Sequence, residues 1–286
     1  MFSARYPRIV LFVVAALGWS ATPGYEQALK LYNTTDYEAS FQLLDSIRSK
    51  DGRVWDLIGR NHFMLSDFKK ASEAFEKARG LEPSNSRYAH WLGKAYGRRA
   101  ETANPLFAPS LATKTRKYFE QAVALDPKNV EAMSDLLEYY LEAPGFLGGG
   151  VDKGVRLAGK IAEADPAEGA YALAKVAEKR KEFGQAEVQL RRAVEQAPMQ
   201  IGRVLDLARF LSKQGRIQES DQIFQQAARI NPNHPRLLFA RAETYVKSKR
   251  NLDEARNMLR RYLNSPLTPD DPPRNEAEKL LKEAGG

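Results

Sequence analysis

The sequence predicts an all-α fold, a right-handed superhelical solenoid of about seven helix pairs closed by a C-terminal capping helix. From about residue 24 onward, apolar residues recur at three- and four-residue spacing and helix-forming residues dominate, which favours amphipathic helices. Prolines recur at intervals of 44, 39, 32 and 34 residues, at positions 83, 127, 166, 198 and 232. A period in this range indicates stacked copies of one supersecondary unit, each packing on its neighbours.

Each unit is predicted to consist of two closely packed helices that end at a proline. In three units a small residue precedes the closing proline by 24 residues, as Gly59 precedes Pro83. A proline ends its helix because it supplies no N–H and disfavours α geometry in the preceding residue. The small residues that permit close approach are Gly59, Gly93, Ala174 and Ala208, and the bulky residues that fill the space are Phe75, Phe119, Leu190 and Phe224.

This arrangement resembles the tetratricopeptide repeat family. The family signature is an aromatic residue, Leu-Gly, a later aromatic, Ala, Phe, Ala and a closing Pro. The stretches 54–83, 170–198 and 204–232 carry most of these positions, and less regular copies fill the remainder. The resemblance implies a solenoid over residues 24–286 that binds partners along the concave face of its first helices.

Residues 1–20 have the layout of a secretory signal peptide. A short basic start, "MFSARYPR", precedes the apolar run 9–17 and the small-residue stretch "GWSATPG". The apolar run is shorter than the ~20 residues that a membrane span needs. We expect cleavage after Ser20 or Ala21 and an exported chain, periplasmic or secreted. The alternative is an uncleaved N-terminal anchor in the inner membrane, and the mature chain is not expected to span a membrane.

Composition argues against several classes of function. The chain has no cysteine, which removes disulfides and thiolate metal sites, and its net charge of +8 comes without a basic run that would favour nucleic acid. The three histidines form no metal-binding pattern. We therefore expect no catalytic residue, no cofactor and no metal site, and a protein that is not an enzyme; the oligomeric state stays open.

Two inserts are predicted between the two helices of a unit, at about 98–114 and 143–152. The glycine-rich second insert, "APGFLGGGVDKG", fails the P-loop pattern because Gly154 stands where Ser or Thr must follow Lys153. Asp152 is the expected N-cap of the next helix. Both a functional role and harmless surface growth remain open for these loops.

The two inserts occupy equivalent places in adjacent units, so they are predicted to lie side by side. In that arrangement Phe107 and Leu106 would cover Phe146 and Leu147. The insert residues singled out for this structural role are Phe107, Phe146, Leu147, Gly148, Gly149 and Gly150.

The family pattern also predicts which residues line the concave groove. Basic residues outnumber acids there and aromatics are interleaved, which favours a protein or peptide partner, an acidic one in particular. A solvated helical face is the simpler interpretation of the same residues. The alternative function is a periplasmic small-ligand or transporter-associated component with a pocket beneath the inserts. The predicted groove residues are Arg53, Arg60, Phe63, Met64, His90, Lys94, Arg98, Tyr171, Lys175, Arg209, Lys213 and Phe239.

Overall fold

The computed structural model describes residues 24–285, and all regular structure in that range is helical. Consecutive helices pack as seven antiparallel pairs, followed by one helix that caps the array, as predicted. The pairs are α1 (Tyr25–Asn33) with α2 (Tyr37–Ser46), α3 (Gly52–Met64) with α4 (Phe68–Leu81), α5 (Ser86–Thr102) with α6 (Ala108–Leu125), α7 (Val130–Glu142) with α8 (Val151–Ala164), α9 (Pro166–Lys179) with α10 (Phe183–Gln196), α11 (Ile201–Lys213) with α12 (Ile217–Ile230), and α13 (Pro235–Lys247) with α14 (Leu252–Leu263); α15 (Arg274–Glu283) is the cap.

The predicted signal peptide, residues 1–20, lies outside the described residues. Within the described part, none of the helices combines the length and apolar character needed to cross a membrane.

Small residues bring the two helices of a pair together, as the repeat pattern predicts. A Cβ atom added at Gly59 would lie 2.6 Å from the Phe75 ring, and one added at Gly93 would lie 2.5 Å from the Phe119 ring. Leu190 is buried in the same way against α9. These positions leave no room for a larger side chain, so the closest helix contacts are fixed by residue size.

Five of the seven pairs share one turn geometry. Each turn contains a residue with positive φ, and the next N–H donates to a carbonyl five residues earlier at 2.8–3.0 Å. The pattern satisfies the carbonyls that the first helix leaves open at its C-terminal end. The positive-φ residues are Thr35, Ser66, Lys181, Gly215 and Lys249.

The first insert is mostly helix, which corrects the prediction of a loop over 98–114. Helix α5 continues to Thr102, and α6 begins at Ala108, so only residues 103–107 are non-helical. Pro109 lies in the first turn of α6, where a proline needs no N–H donor and its fixed φ suits the helix. The extra residues therefore lengthen both helices of the third pair.

The second insert does form an irregular connection, but the predicted N-cap of the next helix is wrong. The connection contains a 3₁₀ turn, Gly145–Leu147, and α8 begins at Val151 with Gly150 at the N-cap. Asp152 therefore lies inside the first turn of α8 and its side chain caps nothing. Gly154, in contrast, is a packing residue as expected, because an added Cβ would lie 2.8 Å from Leu141.

The predicted contact between the two inserts is absent. Phe107 and Phe146 are 63% and 83% exposed, and Leu106 is 80% exposed, so these side chains do not cover one another. Leu147 alone turns inward, where it lines a cavity between the two connections.

The segment 264–273 brings the end of the array close to its beginning. Leu267 is buried beneath α15, and Arg236 Nη2 donates to the Asp270 carbonyl at 2.7 Å. Asp270 then lines the same cavity as Tyr32 of the first pair. The solenoid thus curves far enough for its two ends to border one opening of the concave face.

Candidate protein-interaction groove

The concave face carries four connected cavities, which together form what we call the inner groove. Cavity A (about 600 Å³) lies between the first three pairs and the C-terminal segment, cavity B (about 550 Å³) and cavity C (about 430 Å³) follow, and cavity D (about 900 Å³) lies at pairs six and seven. Shared lining residues connect them: Phe63, Lys94 and Arg98 belong to A and B, Asp135, Glu138 and Glu142 to B and C, and Arg236, Asp270, Asp271 and Glu276 to A and D.

Cavities C and D meet at one side-chain contact. The Tyr171 ring lines cavity C, and the Arg203 guanidinium, which lines cavity D, stacks on that ring at 4.0 Å from its centroid. Burial raises the pKa of Tyr171, so its hydroxyl stays neutral across the physiological range. The groove is therefore continuous along the inner helices.

Most of the predicted groove residues line these cavities. Arg53 does not: it pairs with Asp51 at 3.0 Å and lines a separate cavity near Tyr25 and Tyr88. His90 lines none of the five described cavities. The residues that do line the groove are Arg60, Phe63, Met64, Lys94 and Arg98 in cavity A, Tyr171 and Lys175 in cavity C, and Arg209, Lys213 and Phe239 in cavity D.

Three predicted groove residues are buried, which corrects the expectation that they are exposed. Arg60 lies under the Tyr32 ring, with its guanidinium 4.7 Å from the ring centroid. His90 packs against Phe119, and Phe239 packs against the ring of Tyr262. Arg60 is thus covered by the neighbouring first pair, whereas His90 and Phe239 are covered by an aromatic ring on the second helix of their own pair.

The cations of the groove are paired with acids from neighbouring helix pairs, which the sequence reasoning missed. Because each acid lies on the first helix before or after that of its cation, the pairs form a ladder across the concave face. The excess of basic residues predicted for the groove is thereby largely neutralised. The ladder consists of Arg87–Asp56 at 2.8 Å, Lys94–Glu131 at 3.1 Å, Arg203–Glu168 at 3.3 Å and Arg209–Glu243 at 3.2 Å.

The centre of the groove is acidic. Asp135, Glu138 and Glu142 line both cavities B and C. Among the described residues Glu138 has no ion-pair partner, and partial burial, with Asp135 nearby, raises its pKa even though Lys175 acts in the opposite direction. A cationic group on a ligand could pair with Glu138, whereas Asp135 and Glu142 already have cationic neighbours.

One cluster in the groove has the donor types of a cation site. Donor atoms of His90, Glu131 and Asp135 lie within 4.8 Å of one another. The Lys94 ammonium, however, lies 3.1 Å from Glu131 and 3.9 Å from Asp135, and His90 Nε2 lies 2.7 Å from Asp135. The protein's own cation already compensates both carboxylates, so the cluster is an ion-pair network between pairs three and four.

The backbone N–H groups of the glycine-rich connection donate hydrogen bonds to nearby backbone carbonyls. Gly148 N donates to Gly145 O at 2.9 Å, Gly149 N to Pro144 O at 3.2 Å, and Gly150 N to Tyr140 O at 2.8 Å. These bonds leave the three glycines unable to wrap a phosphate, and the connection serves architecture.

Comparisons with known proteins agree with this architecture. A tetratricopeptide repeat family model matches residues 211–272. A solved tetratricopeptide repeat protein from Parabacteroides merdae is 11% identical, with 91% of this chain and 97% of that chain covered and a TM-score of 0.59. A thermophilic protein of the same kind from Thermus thermophilus is 18% identical, with 66% and 97% covered and a TM-score of 0.55. No curated protein matches the chain.

At these identities the solved structures show a shared fold, and nothing about partners passes from them to this chain. The family model covers the end of α11, helix α12 and the seventh helix pair, where the residues themselves also follow the repeat pattern. The prediction of a tetratricopeptide repeat array is therefore confirmed: residues 211–272 match the family model, and the chain shares the fold of solved tetratricopeptide repeat proteins.

Proposed function

We propose that this protein is a non-enzymatic interaction module or assembly scaffold that holds a segment of a partner protein in the inner groove. The single observation that supports this most is the continuity of cavities A to D along the first helices. A continuous groove fits an extended or helical segment better than a compact small molecule. Ion pairs between successive helix pairs link the first helices that form its wall, which favours a preorganised surface.

The charge of the groove suggests the chemistry of the partner segment. A uniformly acidic segment is disfavoured, because the ladder of ion pairs already neutralises most groove cations. We propose a segment of mixed charge, with a cation opposite Glu138 and an anion toward Lys213, which has no ion-pair partner among the described residues. Apolar contact with Phe63 and Tyr171 would supply most of the affinity.

The cell envelope is the proposed location, periplasmic or secreted. This part of the proposal rests on the signal-peptide layout of residues 1–20 alone.

A small-ligand role is a second candidate, favoured by cavity B alone. This cavity lies beneath the two atypical connections and is lined by Leu147, Pro144, Thr115 and Phe119. Its volume of about 550 Å³ lies in the range of small-molecule sites. A thermal-shift screen with metabolites would separate the two functions, because a metabolite should raise the unfolding temperature only if cavity B is a small-ligand site.

The groove proposal is tested by filling cavity D without changing charge. Ser212 lines this cavity and makes no side-chain hydrogen bond among the described residues, so Ser212→Trp should block the groove and leave the fold intact. Gln225→Trp, exposed on α12 away from the groove, is the matched control. Affinity capture from an envelope extract should lose its partner with Ser212→Trp and keep it with Gln225→Trp. Equal recovery with both variants would rule out the groove as the binding surface.

A further inference from the structure

The connections of pairs three and four expose large apolar side chains more fully than the connections within the other described pairs, where Leu65 of pair two is 42% exposed. Leu106, Phe107 and Phe146 form what we call the apolar edge, and Leu106 and Phe146 are among the most exposed large apolar residues described. The two connections belong to neighbouring pairs, and the 3₁₀ turn Gly145–Leu147 contacts α6. These three side chains therefore lie on one edge of the solenoid.

The apolar edge is held outward by a rigid frame. The Leu147 carbonyl accepts hydrogen bonds from Arg116 Nη1 at 3.1 Å and from the Tyr139 hydroxyl at 2.9 Å. Lys153 Nζ donates to the Gly148 carbonyl at 2.8 Å. Cavity B lies directly beneath, yet Phe146 points away from it, so the exposure is built into the turn and does not reflect a lack of space to fold inward.

Lysines lie behind the apolar edge on helix α6. Residues 102–119 contain Lys114, Arg116 and Lys117 and no acid. With a rise of about 1.5 Å per residue, the two exposed lysines lie about 10 and 15 Å along the helix from Phe107.

The acids on this edge are each matched by a cation. Glu101 pairs with Arg98 at 2.5 Å, and Glu142 pairs with Lys179 at 3.2 Å. Lys114, in contrast, has no carboxylate partner among the described residues, and the same holds for Lys117 and Lys153. The edge is therefore apolar at its tip and positively charged behind it.

We infer that this edge docks on the surface of a lipid bilayer that contains anionic lipids. Apolar side chains at the tip would enter the boundary between headgroups and acyl chains, and the lysines would meet the phosphates. A surface that binds a protein typically has an apolar centre with polar residues all around it. Here the cations lie on one side of the apolar residues, at a distance that suits contact with lipid headgroups. This docking is independent of the groove, which opens on the concave face.

The absence of cysteine allows a site-specific test in the full chain. An environment-sensitive fluorophore such as nitrobenzoxadiazole is attached to Phe107→Cys, to Phe146→Cys or to Met199→Cys. Met199 is 74% exposed in the connection between α10 and α11, so it matches the other sites in exposure but lies off the apolar edge. The probes are vesicles of phosphatidylcholine, with or without roughly one-third phosphatidylglycerol. Each site is read separately, so insertion of residues 9–17 would not imitate the result.

With anionic vesicles we expect a blue shift of the fluorophore emission at positions 107 and 146 and no shift at position 199. Lys114→Gln with Lys117→Gln should raise the vesicle concentration for half-maximal shift about tenfold or more. Lys279→Gln with Lys282→Gln on α15 should leave it unchanged. No shift, an equal shift at 199, a shift indifferent to phosphatidylglycerol, or a shift that requires an added envelope protein would each overturn the inference.

Discussion

Pair six and pair four join their helices in two different ways. In pair six a three-residue turn is closed by its own backbone, with Gly215 at φ +76° and Arg216 N donating to Leu211 O at 3.0 Å. In pair four the eight residues 143–150 are also held by side chains from three helices: Arg116 of α6, Tyr139 of α7 and Lys153 of α8. The regular turn needs no side chain from elsewhere to close, whereas the longer connection lines cavity B and contributes Phe146 to the apolar edge.

The largest effect is expected at Gly149, in the connection of pair four. An added Cβ would lie 1.8 Å from the Ala143 carbonyl oxygen, and backbone cannot easily move aside. Gly149→Val should lower the free energy of unfolding by about 3 kcal/mol, measured by urea denaturation. Gly145→Val, in the same connection but with no atom within 4 Å of the added Cβ, should have far less effect. Similar losses in both variants would show that this turn is not sterically determined.

Gly215 in the regular turn of pair six tests the effect of backbone conformation, whereas Gly149 tests the effect of steric contact. Its φ of +76° is unfavourable for a residue with a Cβ, although no atom lies within 4 Å of one. Gly215→Ala should cost about 1 kcal/mol, whereas Gly202→Ala, inside helix α11 with equal space, should be neutral or stabilising. Thermal unfolding of the two variants measures the difference, and a neutral Gly215→Ala would remove the conformational explanation.

Tyr139 tests whether side chains hold the long connection. Tyr139→Phe removes one hydrogen bond to the Leu147 carbonyl, while Arg116 still donates to it, so the expected loss is at most about 1 kcal/mol. Hydrogen exchange should also become faster across residues 143–150. Tyr140→Phe, whose hydroxyl contacts the exposed Glu120, is the control. Unchanged exchange in the Tyr139 variant would mean that the connection is self-supporting.

The smallest effect concerns Glu187, which links the regular pairs five and six. Hydrogen bonds from Arg216 and Arg191 lower the pKa of Glu187 below its ordinary 4.5. This stabilisation is present above pH 4.5 and is lost as the pH falls through the lower folded value. Glu187→Gln should therefore be slightly less stable than the parent near pH 7 and equal to it at strongly acidic pH. A difference that grows on acidification would contradict this assignment.

The repeat architecture was predictable because its determinants recur at fixed spacing. Gly59 and Phe75 lie in one repeat, so size and position alone predicted their contact. The repeat register located the first insert but not its conformation, because the extra residues extend both helices and Pro109 is compatible with a first helical turn. The N-cap of α8 was misplaced because the glycines let the helix begin one residue before Asp152.

The groove was predicted in outline but not in charge. Its first-helix positions can be read from the repeat, and most of them line cavities A, C and D. The acids that neutralise them come from other pairs, as Asp56 meets Arg87 and Asp135 meets His90, 45 residues away. The segment 264–273 also enters cavities A and D from a stretch with no repeat pattern. Contacts of that kind depend on the curvature of the whole array.

Site-specific photo-crosslinking in the native envelope tests the central claim, that a partner segment occupies the inner groove. A photoreactive benzoyl-phenylalanine at Lys213 would face cavity D, and the same residue at Gln225 would face away from it on α12. We expect a discrete crosslinked protein from position 213 and none from position 225. Crosslinks from position 225 alone, or the same products from both positions, would contradict a groove-bound partner.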